Sequence, residues 1–231
     1  MKKRRIGKIA DLLVNALLIA LIAALYIVTS GPEVQTAMAE AYGSPVYRGR
    51  AEGKIALQFA VNWNAQAMGD ILDTLKANSA RVTFAVSGRW AEENPDMLKR
   101  ICDEGHELAT MGYDTSLDGR LSWVTEDVRR SLEAIETLSG ATVKLYYSGI
   151  RSLAVSSAAA EALSLTHVLC TADLLCARGT AEDIIARALQ NPIDGSILLM
   201  QPTAAAAEAL QGLIAALQEK GIRVAATADV L

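Results

Sequence analysis

From Lys54 onward, short apolar runs alternate with longer stretches whose apolar residues recur at helical spacing. The short runs predict strands, and the longer stretches predict amphipathic helices. The predicted strands are Lys54–Val61, Arg81–Val86, Glu107–Thr110, Val143–Tyr147, Thr166–Thr171, Ser196–Gln201 and Arg223–Ala226. The predicted helices are Ala65–Asn78, Glu92–Glu104, Thr125–Leu138, Ser156–Leu163, Ala181–Gln190 and Ala204–Lys220. This alternation predicts a mainly parallel sheet, because parallel strands need crossover connections.

The predicted strands are apolar on both faces, as a buried parallel sheet requires. A closed or nearly closed barrel and an open doubly wound sheet both satisfy this pattern. In either arrangement, ligands meet the carboxyl ends of the strands. The residues that follow the strands are therefore the candidates for a functional site.

The N-terminal segment predicts a membrane anchor. Residues 1–11 form a basic leader with five Lys and Arg, an apolar run covers 12–28, and 29–53 has the composition of a linker before a domain at 54–231. The apolar run reaches the lower length limit for a membrane-spanning helix, and its basic side is expected in the cytoplasm. The alternative is a signal peptide cleaved near Ala39, which would release the domain. Both interpretations place the domain outside the cytoplasm.

Composition narrows the class of protein. Apolar residues make up 52% of the 231-residue chain, which is enough for one domain with a sizeable core. The formal net charge is -4, and no basic stripe lies outside the leader. Nucleic-acid binding is therefore not expected.

Two stretches of the domain carry a family resemblance. The first reads ARVTFAVSGRW at 80–90 and NPDMLKRICDEGHEL at 94–108; the second reads DGSILLMQ at 194–201 and KGIRV at 220–224. They resemble the polysaccharide deacetylases of carbohydrate esterase family 4, the NodB-type domain, over residues 54–231. Trp63 after Asn62 is similar to the first motif of the sporulation-type members. The resemblance implies an α/β fold, a distorted (β/α) barrel of about seven strands.

The departures from the family pattern fall on its functional positions. The resemblance places the catalytic base at Ala60, a metal ligand at Val61 and two metal-binding His at Met111 and Thr115. It also places the third motif at Tyr147 and the closing catalytic His at Gln201. None of these six residues matches the family type.

The replacements bear on the chemistry that the resemblance implies. The family uses a divalent metal, usually zinc, to polarise the acetyl carbonyl and to lower the pKa of bound water to about 7. Met is a soft, weak ligand and Val is none, so no cofactor is expected and zinc binding in the family manner is not predicted. The chain contains only two His, and both His106 and His167 are interpreted as core residues.

The three Cys match no zinc signature. Cys102 falls on an apolar helix face and is expected to be buried. Cys170 and Cys176 either pair as a disulfide in an oxidising compartment or serve as small apolar residues.

A metal-free hydrolase is a further hypothesis. Asp114, Glu126 and Asp173 are candidate acids, and Arg151 is a candidate anion clamp, although charged residues after strands are usually only solvated. A Ser nucleophile such as Ser87 or Ser148 needs a nearby His, and the sequence shows none.

Binding is the remaining class of function, because aromatic faces suit sugar rings. The candidate contacts are Asn62, Trp63, Trp90, Tyr113, Asp114, Tyr147, Arg151 and Asp173. The first hypothesis is a membrane-anchored deacetylase-like domain without activity that binds cell-wall glycan or an envelope protein, in the cell envelope or the spore. The alternatives are an active hydrolase of envelope polysaccharide with a rearranged site, and a structural or interaction protein without glycan affinity, in which Trp63 and Trp90 only pack the barrel mouth.

Overall fold

A computed structural model describes residues 15, 17–22, 44–63, 66–190 and 194–231. The strands are β1 (Lys54–Val61), β2 (Thr83–Val86), β3 (Glu107–Thr110), β4 (Leu145–Tyr147), β5 (Thr166–Val168), β6 (Ala172–Asp173), β7 (Ile197–Met200) and β8 (Arg223–Ala225). The helices are α1 (Met68–Ala77), α2 (Gly88–Glu93), α3 (Pro95–Asp103), α4 (Leu121–Ser139), α5 (Leu153–Ala162), α6 (Ala181–Gln190) and α7 (Ala204–Glu219), and a 3-10 turn covers Thr227–Asp229.

All the strand pairs are parallel, which confirms the predicted class of sheet. The strand order is β5-β4-β3-β2-β1-β7-β6, and β8 pairs with the first half of β1. The sheet is curled into a half-barrel with helices packed on its outer face, consistent with a (β/α) barrel. The carboxyl ends of the parallel strands lie together at one end of this half-barrel, which we call the mouth.

Alternation along β1 separates the two faces of the sheet. Ile55, Phe59 and Val61 are wholly buried in the main core, which also contains the apolar residues of α1 and α7. Gln58 and Ala60 point to the barrel interior, because successive side chains of a strand face opposite sides. The helices therefore cover one face of β1, and the interior of the half-barrel receives the other.

A short segment before β1 links two separated strands. Val46 receives a backbone hydrogen bond from Leu169 and donates one to His167, which places it on the β5 edge. Arg48 forms an antiparallel bridge with Ser196, just before β7. We call residues 44–50 the strap. The compact unit accordingly begins at Ser44, whereas the predicted domain begins at Lys54.

The helix predicted over Glu92–Glu104 is two helices. α2 already begins at Gly88, where the Ser87 hydroxyl accepts a hydrogen bond from the Trp90 backbone N–H, and α3 starts at Pro95. Asn94 between them has φ -133° and ψ 53°. The break has a local cause, since proline has no N–H to donate and disfavours helical geometry in the residue before it.

Other observed element boundaries also differ from the predicted ones. α4 begins at Leu121 and α5 at Leu153, both earlier than predicted. The predicted strand Thr166–Thr171 is shorter, and Ala172–Asp173 forms a separate strand against β7.

Most of the predicted anchor at 12–28 and the alternative cleavage position near Ala39 lie outside the described residues. Residues 17–22 are helical. Within the described part of the chain, no helix has both the length and the apolar character needed to cross a bilayer.

We predict that Gly49→Ala destabilises the fold by roughly 1–3 kcal/mol, because the added methyl group would overlap the Val230 carbonyl group and push the strap away. Urea unfolding of the purified full-length chain measures this. The matched control is Gly69→Ala in α1, where a Cβ meets nothing within 4 Å. This control should gain about 0.5–1 kcal/mol from helix propensity. Equal stability of Gly49→Ala and the natural chain would show that the strap is not part of the packed fold.

Candidate functional site

Small side chains line the barrel interior below the mouth. Ala60 is in register with Ala85 on β2, and Ala85 is in register with Ala109 on β3. Met111 and Tyr147 pack with these alanines in one apolar cluster. The structure therefore brings three of the family-equivalent positions, Ala60, Met111 and Tyr147, into one apolar cluster.

Val61 does not share this position. Its side chain is wholly buried in the main core beneath the helices, on the opposite face of β1 from Ala60. An acidic side chain at Val61 would enter an apolar environment unless the strand end changed its twist.

Thr115 lies on the loop after β3 and is half-buried. Its hydroxyl accepts a long hydrogen bond, 3.4 Å, from the side-chain amide of Asn62. The positions of the first and second family motifs are thus in contact across the mouth, through two neutral polar groups.

Gln201 follows β7 and is held by the neighbouring loop. Its side-chain oxygen accepts a hydrogen bond of 3.1 Å from the Cys176 backbone N–H, and its amide nitrogen donates to the Asp173 carboxylate at 3.3 Å. The amide at the closing catalytic position therefore holds the loop after β6 in place, a role that needs both a donor and an acceptor.

Tyr147 is the one large polar residue of the interior cluster. It is 8% exposed. Burial raises the pKa of this phenol above its usual range, and Cys170 and Asp173 add to the effect.

The residues at the mouth do not fit a zinc ion. Zinc in proteins takes nitrogen, sulfur or carboxylate ligands at about 2.0–2.3 Å, usually four of them. Ala60 offers no donor atom, Met111 offers only a thioether, and Thr115 offers a neutral hydroxyl. In the part of the chain that the structure describes, no group of three or more His, Cys, Asp or Glu is arranged to hold a metal.

A buried ion pair lies behind the mouth. The Arg151 guanidinium donates to the Asp127 carboxylate at 2.7 Å, and their side chains are 1% and 6% exposed. Arg151 also donates to the Tyr146 hydroxyl at 3.0 Å and to the Asp114 carbonyl at 2.6 Å. Burial lowers the pKa of Arg151, but Tyr146 and Asp127 outweigh this, and the pKa is higher than usual.

Asp127 in turn holds the loop that follows β3. Its carboxylate accepts the backbone N–H groups of Tyr113 at 3.0 Å and Asp114 at 2.9 Å. Gly112 adopts a φ of +83°, and a Cβ there would overlap both Arg151 and Asp127. The ion pair thus fixes the loop that carries Met111 and Thr115, and glycine is required for the close approach.

The other predicted contact residues differ in their exposure and in their partners. Trp63 is 79% exposed at the mouth, whereas Trp90 is 1% exposed in the core and unavailable to a ligand. The Tyr113 ring lies 3.5 Å from the Arg130 guanidinium, and its hydroxyl donates to Glu92 at 2.8 Å. Asp114 pairs with Arg89 at 2.7 Å. The pKa of the Asp114 carboxyl is lowered, mainly by hydrogen bonds from Ser116.

Sequence reasoning missed a contact between Ser148 and a histidine. The His167 Nε2 lies 2.9 Å from the Ser148 hydroxyl, and its Nδ1 lies 3.0 Å from the Ser157 hydroxyl. Burial lowers the pKa of His167 to about 4, so the ring is neutral at pH 7. All three side chains are buried, which makes this chain of hydrogen bonds a tie between β4, β5 and α5. Only the pairing of β4 with β5 brings these residues together.

The remaining His and Cys are buried or half-buried. His106 is buried with its ring edge-on to Phe84, and burial lowers its pKa to about 4. Cys170 and Cys176 are both free thiols, and burial raises the pKa of each to about 11. Cys102 is half-buried rather than buried as predicted. Thiols with raised pKa values are poor nucleophiles.

Comparison with known families decides the identity of the fold. A model of the family described as polysaccharide deacetylase matches residues 48–166. The chain belongs to the polysaccharide deacetylase family. This confirms the resemblance seen in its sequence.

Two bacterial proteins show how far the sequence similarity extends. The uncharacterized protein YlxY of Bacillus subtilis (strain 168) is 27% identical over 194 residues, which cover 81% of this chain and 60% of YlxY. A peptidoglycan-N-acetylglucosamine deacetylase of Bacillus cereus is 28% identical over 186 residues, covering 74% of this chain and 66% of the relative. The chain therefore spans about two thirds or less of the length of these relatives.

One solved structure similar to this polysaccharide deacetylase family member is wild-type BA3943, a CE4 family pseudoenzyme from Bacillus anthracis. The two share 25% identity and a TM-score of 0.76, over 81% of this chain and 68% of BA3943. A mutant of BA3943 with restored enzymatic activity gives the same TM-score and identity.

We predict that Asp127→Asn destabilises this family member by about 3 kcal/mol or more, because it leaves the buried Arg151 charge without its partner. Thermal and urea unfolding of the full-length chain measure the loss. Glu126→Gln is the matched control, since the neighbouring Glu126 pairs with Arg129 at the surface and exposed pairs contribute little. Similar stability of the two variants would show that the buried pair does not hold the mouth.

Proposed function

We propose that this chain is a deacetylase-family domain without deacetylase activity that binds glycan in the cell envelope. The observation that supports the absence of deacetylase activity is that Ala60, Met111 and Tyr147 share one apolar cluster. The family chemistry needs a base and a metal-bound water at this place, and neither can be built from an alanine, a thioether and a protonated phenol. No cofactor is part of the proposal.

The comparison with BA3943 supports the same proposal. BA3943 is described as a pseudoenzyme, and it has 25% identity and a TM-score of 0.76 with this chain. The family fold is thus compatible with a lost activity in a protein of similar structure. The proposal for the present chain rests on its own mouth residues. The comparison adds that another protein with this fold is described as a pseudoenzyme.

Glycan binding is favoured by the surroundings of Trp63. Its ring is 79% exposed beside a cavity of about 70 Å³ that is lined by Ala60, Asn62, Trp63, Ala177, Gln201, Pro202 and Thr203. An exposed aromatic face beside a partly polar cavity suits a sugar ring, which presents C–H groups on one side and hydroxyls at its edge. The side-chain amides of Asn62 and Gln201 can form hydrogen bonds with those hydroxyls.

The active-hydrolase alternative has one structural contact in its favour, that of Ser148 with His167. Both side chains are buried, and neither lines the cavity beside Trp63. A nucleophile must reach its substrate, so this contact favours a structural role. Binding of an envelope protein in place of glycan is the other alternative.

We also propose that the chain is located at the membrane. The basic leader at 1–11 and the apolar run at 12–28 support an anchor that leaves the domain on the outer face. Cleavage near Ala39 would instead give a secreted form.

We predict that the purified full-length chain releases no acetate from acetylated chitooligosaccharide or from peptidoglycan, and that it retains less than about 0.1 zinc per chain after dialysis. Acetate release and metal analysis check this on one preparation. Acetate release that a chelator abolishes would overturn the proposed loss of activity.

We predict that Trp63→Ala weakens binding of an N-acetylglucosamine hexamer about tenfold, because stacking on the exposed indole removes apolar area from water. Isothermal titration measures the affinity. Trp123→Ala is the control, since Trp123 is also exposed, at 53%, but lies on α4 outside the cavity. Unchanged affinity of Trp63→Ala would remove Trp63 from the site, and no binding by the natural chain would overturn the glycan role.

A further inference from the structure

We infer that an exposed apolar patch at the mouth end of the domain lies against the outer surface of the lipid bilayer. The patch, which we call the apical patch, consists of Leu121, Trp123, Ile150 and Leu153. This inference rests on the proposed location at the membrane and adds which face of the domain meets the lipid. It does not depend on the proposed glycan binding.

The four side chains of the apical patch come from neighbouring parts of the fold. Ile150 is fully exposed, and the other three are 42–53% exposed. β3 and β4 are adjacent strands, and the patch lies on the loop after β4 and on the first turns of the helices that follow them, α4 and α5. The Asp118 carboxylate joins the two loops by accepting a hydrogen bond of 3.0 Å from the Ser152 backbone N–H. The patch is therefore one part of the surface.

Ile150 is presented on a turn whose two ends are held in the buried interior. The Arg151 backbone N–H closes the turn by donating to the Ser148 carbonyl at 3.3 Å. The Ser148 hydroxyl lies 2.9 Å from His167 Nε2, and the Arg151 guanidinium pairs with Asp127. Because the turn is already fixed, little conformational freedom is lost when a partner covers Ile150. Burial of the isoleucine then removes apolar surface from water.

The apical patch belongs to a wider bias in the placement of apolar side chains. Trp63 after β1 and Leu175 after β6 are also exposed at the mouth end. In the described part of the compact unit, the other large exposed apolar side chains are Tyr47, Leu138 and Leu231, which belong to three different segments. Clustered exposed apolar residues mark interaction surfaces, whereas scattered ones are ordinary. The mouth end is therefore the face that we expect to meet a partner.

The chemistry of the apical patch fits lipid better than glycan. Three of its residues are aliphatic, so they offer no aromatic face to a sugar ring and no hydrogen bond to its hydroxyls. The fourth, Trp123, has the Arg120 guanidinium 5.1 Å from its ring. Aliphatic residues, tryptophan and arginine together are typical of surfaces that lie in the bilayer interface, where apolar groups enter the lipid and the cation stays among the headgroups.

The length of the chain before the compact unit favours the bilayer over a second protein. Residues 29–43 separate the predicted anchor at 12–28 from the compact unit, which begins at Ser44. These fifteen residues reach at most about 50 Å when extended, so an anchored domain stays close to the bilayer. Docking is then an intramolecular step with an effective concentration in the millimolar range, for which a small patch suffices.

The test measures quenching of tryptophan emission by lipid. The chain has three Trp, all in the compact unit, so the predicted anchor contributes no signal. Trp90 is buried, and Trp63→Phe leaves Trp123 as the only exposed one. The full-length Trp63→Phe chain is placed in vesicles of equal parts phosphatidylcholine and phosphatidylglycerol, with or without bromine in the upper acyl chains. We expect bromine to remove about half of the emission, because one of the two remaining indoles lies at the interface.

Ile150→Asp in the same background should abolish this quenching, because a carboxylate at the tip of the turn is costly to place in lipid. Leu231→Asp is the matched control. Leu231 is exposed beside Thr227, which is hydrogen-bonded to Thr83 at the start of β2, the end of the sheet opposite the mouth. This control should leave the quenching unchanged. Circular dichroism verifies that each variant is folded.

Flotation of the same vesicles separates the possible failures. A chain that floats with the vesicles without quenching, or quenching that Ile150→Asp retains, would overturn this inference and leave the proposed membrane location standing. A chain that does not float would overturn both. A dimer in detergent that Ile150→Asp dissociates, without quenching in vesicles, would assign the apical patch to a second copy of the chain and also overturn the inference.

Discussion

The buried pair of Arg151 and Asp127 is the interaction on which the geometry of the mouth depends. Two opposite charges removed from water need nearly all their hydrogen bonds satisfied, and here the partners include the Tyr146 hydroxyl and the backbone of the loop after β3. That loop carries Met111 and Thr115. The buried ion pair therefore sets the shape of this loop, and the shape does not depend on a metal ion at the mouth.

The residues beneath this loop are small and apolar. The interior positions beneath it carry alanine at Ala60, Ala85 and Ala109, and the Tyr147 ring occupies part of the space that small side chains leave. Close packing of this kind favours apolar neighbours, since a carboxylate in the same place would lose hydration without gaining a cation. The family fold and the replaced residues are thus consistent with each other.

The sequence predicted the parallel sheet, the family and most elements, because these depend on local periodicity and on motifs read along the chain. It failed where the cause is tertiary. The strap was assigned to a linker because Val46 and Arg48 form single bridges rather than a strand. Trp90 was a candidate contact because position after a strand does not reveal that the ring turns into the core. The pairing of β4 with β5 brings Ser148 to His167, and no sequence spacing predicts that contact.

The same distinction bears on the mouth. Met111, Ala60 and Gln201 were visible as departures from a motif, so the replacement of the family's functional residues could be seen in the sequence. Ala177 and Pro202 belong to no motif, and only the fold places them in one cavity with Ala60 and Trp63. A domain that has lost its reacting groups can still select a ligand by charge and shape, because recognition needs complementary surfaces and no activated water. The exposed Trp63 and the cavity beside it offer such a surface at the mouth of an apolar barrel.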